Sequence, residues 1–250
     1  LRVSERWTAK ASYEWATSMP RSREIFGNGV LIMANLELQP ERSHNANLEL
    51  SYERVASTRS DWTATGNGFL RQADELIVLL GNEQAFSYQN VFAATSQGVE
   101  VALGWTSAND RLSVEANSTW QDFRNSSGEG AFGACQGDRI PIRPYLFANG
   151  SARYRIPEAL RARDELSLFW NSRYVHEFFR FWESGGLRQF KQSIPTQLVH
   201  NTGLTYQLLL GQMRWAFTVE VQNVTDDQVF DFFGVQRPGR GYFGKMTIQF

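Results

Sequence analysis

One cysteine in 250 residues, Cys135, leaves no disulfide possible within the chain. Long hydrophobic runs are missing as well. The longest, Leu76-Ile77-Val78-Leu79-Leu80, falls far short of the roughly 18 apolar residues that mark a spanning helix. Charge of one sign is also absent. The 25 Lys and Arg against 26 Asp and Glu give a net charge of -1, and without a basic stripe there is no electrostatic footprint for nucleic acid. The three histidines, His44, His176 and His200, form no His-x-x-x-His pair and join no Cys/His cluster, so no metal site is expected. No Gly-x-Ser-x-Gly turn presents a nucleophile. Gly27-Asn28-Gly29 lacks the helix and lysine of a phosphate loop. These absences together leave no catalytic constellation and no expected cofactor, so the chain does not read as an enzyme. The first residues, Leu1-Arg2-Val3-Ser4-Glu5-Arg6-Trp7, have no charged region followed by an apolar one. A secretory signal is therefore not expected in this chain.

What is present is alternation. Leu112, Val114, Ala116, Ser118 and Trp120 interleave with Ser113, Glu115, Asn117 and Thr119, a period of two that defines a strand with unlike faces. Trp215, Phe217, Val219 and Val221 repeat the pattern, as do Val99, Val101, Leu103 and Trp105, and Leu166, Leu168 and Trp170 with Tyr174. Leu146, Ala148, Gly150, Ala152 and Tyr154 give a weaker version. Ten such segments lie near 5–16, 42–53, 62–76, 96–106, 111–123, 145–155, 165–176, 196–209, 214–224 and 241–250. Each has about the length of a tilted membrane strand, roughly 9–11 residues or a little more. A mean hydropathy of -0.39 does not contradict this, because only alternate residues of a barrel strand face lipid.

The connections alternate too. Short turns at 56–61, 107–110 and 211–213, and a middling one between 155 and 165, separate long stretches at 17–41, 77–95, 125–143, 177–194 and 226–239. Short turns on one rim and long loops on the other belong to outer-membrane barrels. Trp7, Trp62, Trp105 and Trp215, with Tyr52, Tyr154 and Tyr206, fall near the short-turn ends; Trp15, Trp120, Tyr174 and Tyr242 fall near the long-loop ends. Amphipathic aromatic rings favour these headgroup levels. Trp170 falls mid-strand and fits neither girdle. The chain ends on a bare aromatic, Phe250, on the apolar face Tyr242, Gly244, Met246, Ile248 and Phe250. That end is expected to anchor the last strand and to serve membrane assembly.

The residues after Phe217 meet a known pattern. Asn223-Val224-Thr225-Asp226-Asp227, then Phe230, Gly234, Pro238-Gly239-Arg240 and a terminal aromatic strand, resembles the end of TonB-dependent outer-membrane receptors. Upstream, Asn35-Leu36-Glu37-Leu38-Gln39-Pro40-Glu41-Arg42-Ser43 resembles that family's "N-x-x-L-x-P-E-x-S" approach to a strand, and Thr17-Ser18-Met19-Pro20 with Glu24-Ile25-Phe26-Gly27 the loop before it. Gln97-Gly98-Val99-Glu100 and Arg139-Ile140-Pro141-Ile142-Arg143-Pro144 with Asn149 resemble two later strand starts. The order and spacing of these matches carry the likeness across nearly the whole chain.

The resemblance implies an all-β fold, a transmembrane antiparallel β-barrel. About ten strands are seen, similar to the C-terminal half of a 22-stranded barrel, so residues 1–250 read as the C-terminal portion without plug domain or signal peptide. By the same implication the host compartment is the Gram-negative outer membrane. The partners would be the lipid bilayer, the remaining barrel strands, an N-terminal plug, the TonB system acting through that plug, and a small-molecule ligand. The implied activity is energised uptake of a scarce nutrient: a ferric siderophore, a cobalamin-like cofactor or an oligosaccharide. The alternative is a passive pore or structural barrel without TonB coupling. Asp226-Asp227 reads as a loop opening and not as a cation site. The ligand-binding candidates lie in two extracellular loops. One carries His176, Phe178, Phe179, Arg180, Phe181 and Trp182, and the other carries Arg21 and Arg23. Rings could stack on a ligand while Arg180 holds an anionic group; the simpler reading, which is preferred, is that the strand extends above the membrane and the loop packs on its neighbours.

Overall fold

The computed structural model describes residues 1–55, 59–81, 85–184 and 192–249. Phe250 lies outside the described residues, as does the glycine pair that follows Trp182. All ten expected segments are strands: β1 (Trp7–Ser18), β3 (Glu41–Arg54), β4 (Asp61–Gly81), β5 (Phe86–Thr106), β6 (Leu112–Asn125), β7 (Leu146–Pro157), β8 (Asp164–Val175), β11 (Gln197–Leu210), β12 (Met213–Gln222) and β13 (Gly241–Gln249). Three short strands were not legible in the sequence: β2 (Ile32–Met33), β9 (Phe178–Phe179) and β10 (Ser193–Ile194). One helical turn, α1 (Ser22–Phe26), sits in the first long loop. The ten long strands pair antiparallel in chain order, and β2 adds to β5 in parallel. Among the described residues β1 and β13 pair with only one neighbour each, so the sheet is an open part of a barrel.

Register puts like residues in rows, as period two demands. Ala116 stands opposite Leu103 on one side and Gly150 on the other; Val114 stands opposite Trp105 and Ala152; Trp120 opposite Val99 and Leu146. This outward face is apolar and open, with Leu48 63% and Leu103 53% exposed. The opposite face is polar. Asn117 pairs with Asn149, Glu115 with Ser151 and Ser113 with Arg153. At the short-turn rim the outward rings pair up, Trp7 with Tyr52 at 5.0 Å and Trp62 with Trp105 at 6.1 Å between centroids. Trp170 also faces outward, and its indole N–H donates to Ser172 Oγ at 3.0 Å. Its polar edge is therefore satisfied within the strand.

The stretch between β4 and β5 departs from expectation. The sequence suggests a long loop over 77–95, but both strands continue, and Leu76–Gly81 pairs with Phe86–Val91. Glu75 explains why alternation fails to reveal it. Its φ of 53° is a left-handed conformation uncommon for a residue with a side chain, and its carbonyl accepts from Asn90 Nδ2 at 2.7 Å. Below it Ala73 is buried; above it Leu76, Val78 and Leu80 are buried instead, so the inward parity switches from odd to even. The extended hairpin is the platform for the main apolar core. Ala73, Leu76, Val78, Leu80, Val91 and Ala94 pack with Phe123 and Ile140, and Phe132 and Trp182 lie against them. That core lies at the long-loop end of the sheet, where loops 126–145 and 176–184 fold over the hairpin.

Asn125 organises the larger of those loops. It is 1% exposed. Its side-chain amide donates to the Phe132 carbonyl at 2.8 Å and accepts from the Ser127 N–H at 3.0 Å. Asn125→Ala leaves both backbone groups without that partner in a buried place, which costs on the order of 1–3 kcal/mol for each. The expected result is faster proteolysis within 126–145 with the barrel wall's heat-modifiable gel mobility unchanged. Equal proteolysis rates would show that the loop does not depend on Asn125.

Candidate functional site

The inner faces of the strands and the loops above them enclose a mouth cavity of about 790 Å³. Inward parity delivers Glu100 from β5, Thr119 and Gln121 from β6, Phe147 and Asn149 from β7, and Arg173 from β8. Loop 126–145 adds Arg143 between Pro141 and Pro144, and the loop before β13 adds Phe232 and Phe233. Arg143 lies with its guanidinium 5.8 Å from the Phe123 ring centroid. The protein crowded round that guanidinium lowers its pKa below the usual arginine range, and nearby Arg71 adds to this; Glu41 and Tyr88 act the other way. Glu41 is buried, ion-paired to Arg71, and accepts the Ile77 N–H at 3.2 Å. The mouth thus carries two guanidiniums, Arg143 and Arg173, and two carboxylates, Glu24 and Glu100, among rings and amides.

Below the mouth the wall stays polar. A second cavity of about 670 Å³ is lined by Glu115, Arg153, Arg155, Glu165, Asn171 and Gln207, among others. Charges of both signs and amides line a hydrated trough and no apolar core, as a barrel interior requires.

The candidate residues read from the sequence take different places. His176 lies above β8; its Nδ1 is 2.6 Å from the Tyr174 hydroxyl, and its ring meets Tyr145 edge-on at 4.8 Å. Phe178 is 4% exposed, pairs with Ile194 across β9 and β10, and lies 6.1 Å from Phe232. The Phe179 carbonyl accepts the Ile142 N–H at 2.9 Å. Arg180 Nη1 donates to Gln192 Oε1 at 2.7 Å, and its Cζ is 5.5 Å from the Phe181 ring. Trp182 meets Phe132 at a tilt, 5.4 Å between centroids, against the core. Arg180, Phe181 and Trp182 line a smaller cavity of about 360 Å³, which shares Pro141 with the mouth. Arg21 and Arg23 precede Glu24 at α1 and are exposed; Glu24 reaches the mouth, and its carboxylate accepts the Arg21 backbone N–H at 2.7 Å. None of the eight candidates lines the mouth itself.

The mouth residues Tyr88, Arg173, Phe147, Phe232 and Phe233 were not singled out from the sequence. Arg173 and Phe147 carried a signal, since both hold inward parity at the loop ends of their strands. Phe232 and Phe233 carried none, because a loop has no period.

The Asn223–Asp227 motif closes β12. Asn223 has a φ of 50° and bridges its own turn, donating to the Asp227 carbonyl at 2.8 Å and accepting the Asp227 N–H at 3.1 Å. Asp226 Oδ1 accepts the Arg240 N–H at 2.7 Å, and Asp227 Oδ2 accepts from the Thr225 hydroxyl at 2.6 Å. The two carboxylates hold the loop opening onto β13. Among the described residues no group of three or more His, Cys, Asp and Glu is placed to hold a metal ion.

Residues 1–224 match the family described as "TonB dependent receptor-like, beta-barrel". No curated protein matches the chain. Solved structures do. The copper transporter OprC is 16% identical with a TM-score of 0.70, over 98% of this chain and 37% of that one. The ferric enterobactin receptor of Pseudomonas aeruginosa is 17% identical with a TM-score of 0.68, over 98% and 38%. The ferric preacinetobactin receptor BauA of Acinetobacter baumannii is 12% identical with a TM-score of 0.65, over 98% and 34%. At these identities the likeness is one of fold. The chain spans little more than a third of the length of each.

Proposed function

Given that the chain belongs to the TonB-dependent receptor-like β-barrel family, we propose that it is the ligand-facing wall and loops of a transporter of the Gram-negative outer membrane. In this reading the remaining strands complete the barrel at β1 and β13. A plug fills the polar trough, and the TonB system acts through that plug to drive uptake. The ligand is a scarce nutrient of the siderophore, cobalamin-like or oligosaccharide class. The observation that supports this best is the mouth cavity of about 790 Å³, which opens at the long-loop end directly above the polar trough. Arg143 and Arg173 with Phe147, Phe232 and Phe233 suit a ligand that has both rings and negative charge, which favours a ferric siderophore within that list. Of the three neighbours named above, two are described as ferric siderophore receptors and one as a copper transporter.

The test uses the full-length protein in cells lacking their other siderophore receptors, grown on a panel of ferric siderophores. Growth should depend on this protein for at least one of them. Arg143→Ala and Arg173→Ala should each weaken binding of that siderophore about tenfold or more, since a hydrogen bond to a charged group contributes roughly 1.5–3 kcal/mol. Unchanged affinity in both variants, with the wall folded, would remove the mouth as the binding site.

A further inference from the structure

Two of the three histidines sit on the outward face of the wall, on strands far apart in the sheet, in the same environment. His44 on β3 has the outward parity of Ala46, Leu48, Leu50 and Tyr52; His200 on β11 has that of Thr202 and Leu204. Each lies ten residues from the short-turn end of its strand, Arg54 in one case and Leu210 in the other. At roughly 3.4 Å per residue and a tilt of about 40°, both imidazoles stand roughly 25 Å above that rim. The apolar band of such a wall is about 25 Å tall, so both rings reach the headgroup level of the outer leaflet.

Their hydrogen bonds are also alike. Tyr13 Oη lies 2.6 Å from His44 Nδ1, and Ser172 Oγ lies 2.8 Å from His200 Nδ1. Ser172 Oγ also accepts the Trp170 indole N–H at 3.0 Å, and the Trp170 and His200 rings are 5.3 Å apart. A phenol is a stronger acid than a neutral imidazole N–H, so Tyr13 donates. Ser172 Oγ takes the indole proton and has one proton of its own to give, for which His200 Nδ1 is the acceptor in reach among the described residues. A hydroxyl that donates to Nδ1 fixes the proton of the neutral ring on Nε2. Neither Nε2–H has a hydrogen-bond partner among the described residues, and no carboxylate bonds either ring.

From this geometry we infer that His44 and His200 are docking points for phosphate-monoester headgroups of outer-leaflet lipids, each presenting an Nε2–H at headgroup height beside an aromatic ring. A donor on the lipid face at that level finds no other acceptor among the described residues, and a lipid phosphate monoester, with about -1.5 to -2 charge at pH 7, is a stronger acceptor there than a phosphodiester. His176, the third histidine, meets Tyr145 edge-on in the loops above β8 and is not part of this face.

This inference rests on the sheet being a barrel wall, so the test reports on both. The full-length protein is purified in detergent and its fold is checked by heat-modifiable gel mobility. Native mass spectrometry then measures retained dioleoylphosphatidic acid against dioleoylphosphatidylcholine. The wild type should retain the phosphatidic acid preferentially. The double substitution His44→Gln and His200→Gln should reduce that retention roughly tenfold, as loss of one or two hydrogen bonds to a charged group predicts, with phosphatidylcholine unaffected. Ser172→Ala, which releases His200 Nδ1, should give a partial loss in a variant that keeps both imidazoles. Folded protein with no preference, or a preference unchanged by the double substitution, overturns the inference and leaves the barrel standing. Displacement of the bound species by inorganic phosphate overturns the assignment to lipid. Protein that never acquires heat-modifiable mobility removes the barrel wall itself.

Discussion

Ala116→Arg is expected to destabilise the inserted protein by about 2–4 kcal/mol, the cost of an arginine on the lipid face near the bilayer midplane. The same substitution one residue along, Asn117→Arg, is expected to cost much less. Ala116 lies midway between Leu112 and Trp120 on β6, the inner end of the strand and its outer aromatic. Across the ladder it meets Leu103 and Gly150, both on the outward face. An arginine there has only hydrocarbon around it. Asn117 points the other way into the polar trough, where Asn149 Nδ2 donates to its Oδ1 at 3.0 Å and Glu115 and Arg173 are neighbours on the wall. There the cost is one amide hydrogen bond, about 1 kcal/mol, and an arginine in that trough keeps its water. The measurement is the fraction folded against urea in lipid vesicles, read by heat-modifiable mobility. Equal losses at the two positions would mean that the strand is inserted with the wrong face to lipid.

Legibility in the sequence follows from the same two faces. Wherever a strand has lipid on one side and water on the other, alternation is enforced and the strand can be read. Hence all ten long strands were found, with boundaries displaced by a few residues at most, apart from the extended ends of β4 and β5. Above the membrane that constraint ends. The upper part of the β4–β5 hairpin is buried under loops, and Glu75 turns the ribbon over, so Leu76-Ile77-Val78-Leu79-Leu80 looks like an apolar run with no period. Strands β9 and β10, two residues each, have no period to display. The mouth was legible only where strands feed it. Arg173 follows from parity on β8, whereas Arg143 and Phe232 reach the cavity through loop paths that depend on Asn125 and Asp226. The aromatic loop after β8 has a composition that suits ligand stacking, yet Phe178 and Trp182 are occupied with Phe232 and Phe132. Composition alone cannot distinguish a ring that awaits a ligand from one that packs on a neighbouring loop.

Valine in place of Gly203 is expected to destabilise the wall by about 3 kcal/mol, at the upper end of what overpacking costs, while valine in place of Gly68 is expected to be tolerated. Both glycines lie in strand interiors, where valine should improve intrinsic preference. Their surroundings differ. Gly203 faces inward on β11, and its cross-strand partner on β8 is Phe169. A Cβ at Gly203 would stand 2.4 Å from the Val219 carbonyl oxygen and 2.5 Å from Phe169 Cζ. The ring could rotate away, but the carbonyl belongs to the β11–β12 ladder and cannot move without opening it. The same device recurs at Gly98, opposite Phe69, with the Trp120 carbonyl oxygen at 2.3 Å and Phe69 Cζ at 2.6 Å. In both places a phenyl ring on the inner face lies across a glycine of the next strand, which shelters the ring from the hydrated trough and covers the bare backbone. Gly68 has the opposite parity. It lies on the outward face between Leu48 and Val99, and a Cβ there meets nothing within 4 Å, so a valine adds apolar surface toward lipid. The comparison is urea stability of Gly203→Val, Gly98→Val and Gly68→Val in vesicles. Loss at the first two with little change at the third is the expected pattern. A Gly203→Val protein as stable as the wild type would mean that Phe169 does not lie across the strand, and that the inner face at this height is more open than the register of β8 with β11 requires.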